Sequence, residues 1–154
     1  MGMKIDILCV GKIKEEYFRN AIDEYKKRLS RYADVEIIEV ADEATDDAQA
    51  PVREGERLIK KISDSAYVIA LAIKGKKYTS ESFSQYISDL AVTGNSHIQF
   101  IIGGSMGLSD EVLGRCDSKL SFSDMTFPHQ LMRVLFLEQL YRAFKIIKNE
   151  PYHK

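Results

Sequence analysis

Strands and helices alternate along this chain from one end to the other, and that alternation limits the fold more than any single motif does. MKIDILCVG, closing at Gly11, reads as a first strand. KEEYFRNAIDEYKKRLSRYA follows with Tyr17, Phe18, Ala21, Ile22, Tyr25 and Leu29 on one helical face. VEIIEV predicts a second strand, ADEATDDAQAP a mobile acidic loop, VREGERLIKKIS a second helix and AYVIALAI a third strand. KGKKYT reads as a turn, SESFSQYISDLAVTG as a third helix stopped at Gly94, and HIQFII as a fourth strand. SDEVLGRC is a short helix whose acidic first turn suits the positive end of the helix dipole. KLSFS, the loop DMTFPHQ, the long helix LMRVLFLEQLYRAFKIIK and the tail NEPYHK complete the chain. The pattern implies an α/β fold: a mainly parallel sheet with helices on both faces. No repeat or interdomain linker interrupts it, so residues 1–154 are expected to form a single domain.

Composition excludes several classes. Hydrophobic residues make up 45% and charged residues 29%, which is ordinary for a globular protein and not for a disordered one. No apolar run approaches the roughly 20 residues needed to span a bilayer, so no membrane partner is expected. Cys9 and Cys116 have neither disulfide-framework nor metal-ligand spacing and read as free thiols of a cytoplasmic protein. His97, His129 and His153 lie too far apart in sequence for a zinc motif, and no metal is expected.

The net charge of -1 argues against a protein that coats nucleic acid, but its distribution is uneven. Lys4–Arg31 carries a local +3, Glu39–Asp64 a local -4 and His129–Lys154 a local +3. Either the two basic ends build one face around an acidic middle, or the charges are scattered and solvated.

In an open α/β sheet, ligands bind beyond the carboxyl ends of the strands. Three such ends stand out: LAIKGK, IIGGSMG and SFSDMTFPH. IIGGSMG is neither a P-loop nor GxGxxG. Its glycines fit a plain strand-to-helix turn as well as close approach to a ligand.

The last helix carries a wide apolar arc that includes Met132, Phe136, Leu137, Leu140 and Phe144, which favours a homodimer contact. Arg133 projects into that arc. A buried guanidinium needs a partner, which could be a salt bridge within the protein, one across a dimer, or a bound anion. Glu138 and Arg142 form an i,i+4 pair.

FIIGGSMGL and LSFSDMTFPHQLMRVLFLEQLYRAFKIIKNEPYHK closely resemble the RlmH family of large-subunit rRNA (pseudouridine-N3)-methyltransferases, of the SPOUT class. MKIDILCVGKIKEEYFRNAIDEYKKRL and IALAIKGK resemble it too, so the likeness covers essentially the whole chain. It implies a C-terminal trefoil knot and methyl transfer from S-adenosyl-L-methionine to N3 of a pseudouridine; so small a domain is expected to read its RNA on assembled ribosomes. A non-catalytic ribosome-associated assembly factor of the same fold is the alternative. The resemblance places the cofactor against Leu71, Gly103, Gly104 and the cradle loop Phe122, Ser123, Asp124, Met125, Thr126 and Phe127. His129 and His153 are the candidates to assist loss of the N3 proton. Arg133 and Arg142 are candidates to hold the target base or its phosphate, and Tyr152 could stack on a base. Tyr152, His153 and Lys154 are expected to fold over the cofactor mouth rather than fray.

Overall fold

The computed structural model describes residues 2–45 and 47–153. The ten elements are β1 (Met3–Val10), α1 (Glu16–Leu29), β2 (Ala33–Val40), α2 (Ala50–Ile59), β3 (Tyr67–Lys77), α3 (Ser80–Val92), β4 (His97–Ile102), α4 (Asp110–Arg115), β5 (Ser118–Ser121) and α5 (His129–Ile147). All five strands form one parallel sheet in the order β2-β1-β4-β3-β5. The α/β expectation holds. Each connection is long enough to carry a helix, as parallel pairing requires.

Alternate residues of β1 point to opposite faces, and they divide the core. Ile5, Ile7 and Cys9 pack with α1, α3 and α5, whereas Leu8 and Val10 pack with α2 and α4. This division bears on the charge pattern. The two basic ends of the sequence, α1 with α5, share one face, and the acidic middle with α2 covers the other.

Two local expectations need correction. KGKKYT is not simply a turn, because β3 runs on to Lys77. Leu71 and Lys76 both face Leu120 of β5, and the intervening residues bulge out of the ladder. Gly75 is required there, since a Cβ would sit 2.7 Å from the backbone nitrogen of Leu120. The acidic loop is bonded to α2: Arg53 and Arg57 both pair with Glu43, and Arg53 reaches Asp47 at 3.0 Å. Finally, Leu140 is 0% exposed within its own chain, and the arc around it packs against α1, α3 and the sheet. That arc needs no second subunit to cover it.

Candidate active site

The carboxyl ends of β3, β4 and β5 converge on a cavity of about 640 Å³, within the range of small-molecule sites. Three chain segments form its walls: the bulge after Leu71, the turn after Ile102, and the loop from Leu120 into α5. Leu71, Gly103 and Gly104 line it as expected, and so do Phe122, Ser123, Met125, Thr126 and Phe127 of the cradle loop. Asp124 does not line it; its carboxylate is exposed and accepts a 2.6 Å bond from Lys77 Nζ.

The glycines also serve the turn itself. Gly107 has φ +80° and donates to the Gly104 carbonyl at 3.0 Å, which closes a tight turn. A Cβ on Gly103 would lie 2.8 Å from the carbonyl carbon of Gly107. Gly103 is therefore required by the turn itself, and the turn in turn presents backbone to the cavity. The Ser109 side chain then accepts from the Val112 N–H and caps α4, fixing where the turn ends.

Of the five side chains expected to handle substrate, His129 lines this cavity, at the first residue of α5. Arg133 does not. Its side chain is 1% exposed; Nη1 donates to Glu39 at 2.7 Å, and Nη2 donates to the carbonyls of Val10 at 2.7 Å and Gly11 at 2.6 Å. Of the partners considered for it, the one present is a salt bridge within the chain. Arg133 thereby fastens α5 to the carboxyl ends of β1 and β2.

Arg142, Tyr152 and His153 form a second cluster away from the cavity walls. Glu138 accepts from Arg142 Nη2 at 2.6 Å and from the Tyr152 hydroxyl at 2.9 Å. The Arg142 guanidinium lies 4.9 Å from the centre of the Tyr152 ring, which packs edge-on against Tyr141. Arg142 Nη1 lies 3.0 Å from His153 Nδ1, and His153 Nε2 lies 2.9 Å from Glu81. Guanidinium can only donate, so Nδ1 is the acceptor and the imidazole proton sits on Nε2, donated to Glu81. Burial, and then the bond to Glu138, push the Tyr152 phenol up to about 12. The bond from His153 holds the Glu81 carboxyl below its usual value. The tail is thus folded onto α3 and α5; Lys154 lies outside the described residues.

The two places are neighbours. A smaller cavity of about 370 Å³ shares Leu120, Ser121, Phe122 and Phe127 with the first, and Glu138 lines its far side. Glu138 anchors the cluster that the sequence reading reduced to a helix pair. Its role was hidden because its tail partner lies fourteen residues away.

No group of three or more histidine, cysteine, aspartate or glutamate side chains is arranged to hold a metal among the described residues. No helix among them is long and apolar enough to cross a membrane. Cys9 and Cys116 are free thiols, raised by burial to about 12 and about 11.

A family model described as "Predicted SPOUT methyltransferase" matches residues 3–153. The chain is 58% identical to the Ribosomal RNA large subunit methyltransferase H of Bifidobacterium animalis subsp. lactis, over 99% of this chain and 100% of that protein. It is 56% identical to the protein of the same name from Clostridium botulinum strain Kyoto, with the same coverage. Among solved structures, a probable methylase family protein from Haemophilus influenzae Rd KW20 superposes with a TM-score of 0.57 at 15% identity, covering 97% of this chain and 70% of that one, a likeness of fold alone. The chain, matched nearly end to end, belongs to the SPOUT methyltransferase family.

Proposed function

We propose that this chain methylates N3 of a pseudouridine in large-subunit ribosomal RNA, with S-adenosyl-L-methionine as methyl donor. The observation that carries the reading is the strand-end cavity, in a chain 58% identical end to end to a protein named as a large-subunit ribosomal RNA methyltransferase. The residues present fit the donor. The cavity walls combine the apolar groups of Leu71, Phe122 and Phe127 with the exposed backbone of a glycine turn, which suits adenine and a neutral ribose. No phosphate-binding loop is needed, because this cofactor carries no phosphate. When bound, it supplies a methyl group activated by its sulfonium.

The chain's own part is orientation, desolvation and proton handling. His129 lies in the cavity wall and is the residue we assign to assist loss of the N3 proton. His153 has its acceptor nitrogen occupied by Arg142, so its part is to position that arginine. Arg142 and Tyr152, held by Glu138, meet the RNA. Arg133 is a positioning residue that sets the start of α5, and hence His129, against the sheet. The C-terminal knot, a homodimer, the assembled ribosome as substrate and a cytoplasmic location belong to the same proposal.

Tritium transfer from labelled S-adenosyl-L-methionine to ribosomes lacking the methyl group tests it. Stoichiometric label at N3 of a large-subunit pseudouridine is the expected result. Cofactor binding without transfer to any ribosomal particle would favour a non-catalytic assembly factor.

A further inference from the structure

Glu54 is a buried acid with no counter-ion among the described residues. It lies in α2 and is 6% exposed. The two arginines of the same helix are both engaged with Glu43, and no cation pairs with Glu54 among the described residues. One of its oxygens, Oε2, accepts the Glu43 N–H at 3.0 Å. The other, Oε1, points at the glycine turn and would lie 3.2 Å from a Cβ on Gly104. Gly104 is part of the cavity wall. A buried carboxylate without a cation is unfavourable, so a chain that carries one beside a ligand cavity invites a cationic ligand.

We propose that Glu54, packed behind Gly104, lets the cavity distinguish its cofactor by charge, favouring a sulfonium over the neutral thioether that remains after methyl transfer. This rests on the cofactor reading above. Glu54 is a specificity-determining residue acting through space, since backbone stands between it and the cavity. A glycine at 104 keeps the carboxylate close, because a side chain there would meet both Glu54 and Val10. The consequence is directional: loss of the positive charge removes an attraction, and the spent cofactor leaves more easily.

Titration calorimetry of the full chain with S-adenosyl-L-methionine and with S-adenosyl-L-homocysteine tests it, using wild type, Glu54→Gln and Glu54→Asp. Glutamine keeps the acceptor for Glu43 and removes only the charge. Glu54→Gln is expected to weaken the sulfonium compound about tenfold relative to the thioether, the scale of a partly screened charge interaction. Glu54→Asp is expected to keep the wild-type ratio even if both affinities move, and it reads the same quantity should the glutamine variant not fold. An unchanged ratio in Glu54→Gln, or a changed one in Glu54→Asp, would overturn the proposal. Wild-type protein binding neither compound would overturn the cofactor reading and this proposal with it.

Discussion

The glycine turn after β4 and the C-terminal tail lie at neighbouring places but are built from opposite materials. The turn is backbone: Gly103, Gly104 and Gly107 lie within five residues and hold one another by close approach and one hydrogen bond. The tail is side chain: Glu81, Glu138, Arg142, Tyr152 and His153 come from α3, α5 and the terminus and hold one another by charge and ring contacts. Such a turn tolerates little change, because a Cβ on Gly103 strikes the main chain of Gly107, one on Gly104 meets Glu54 and Val10, and Gly107 needs its positive φ. A side-chain network can be taken apart one bond at a time, and each removal costs about as much as one polar contact. Under the proposed function, the turn would hold the cofactor and the tail would meet the RNA.

The largest effect is expected where α5, which leads from the cavity to the tail cluster, is fastened to β1 and β2. Arg133→Met would leave Glu39 and two backbone carbonyls without their donor, and should destabilise the protein by about 3–5 kcal/mol in chemical denaturation. Little change would mean that α5 is held by its apolar arc alone.

Truncation after Pro151 separates the two regions. Transfer to ribosomes should fall by about a hundredfold, the scale of lost positioning, while calorimetric affinity for the cofactor stays within about threefold of wild type. Equal losses in both would merge tail and turn into one structure.

Gly103→Ala sharpens the other side. Its Cβ meets the backbone of Gly107, so the turn must shift at a cost of about 1–3 kcal/mol, and cofactor affinity should fall with it. Normal binding in a folded variant would remove the turn from the site.

Tyr152→Phe is expected to have a smaller effect. It loses one bond to Glu138, about 1 kcal/mol at neutral pH. The phenol is raised to about 12 when folded, against about 10 unfolded. Its neutral form therefore contributes fully below pH 10, and the contribution is lost as pH rises through 12. Denaturation of both proteins between pH 8 and 12 should show their difference shrinking. A constant gap would place the hydroxyl in solvent.

The alternation of elements was legible because apolar runs and helical spacing are local, and β4 begins and ends where HIQFII does. The family resemblance picked out Phe122–Phe127, which line the cavity apart from Asp124, whose partner Lys77 lies on the strand that looked like a turn. What stayed hidden depended on distant residues. The extension of β3 needs β5 to pair with Lys76 and Lys77. The arc on α5 suggested a partner chain because its true partners, α1 and α3, come from earlier in the sequence. Arg133 showed that it needed a partner but not that Glu39 and β1 provide it. Glu54 carries no sequence signal, since an acid on an amphipathic helix ordinarily faces water.

A crystal structure of the full chain with S-adenosyl-L-homocysteine tests the central claim most directly. The account predicts adenosyl density in the larger cavity, against Leu71, the Gly103–Gly104 backbone and Phe122, with the Tyr152–Glu138 bond intact beside it. Density confined to the smaller cavity beside Glu138, or to any site away from the strand ends, would contradict it.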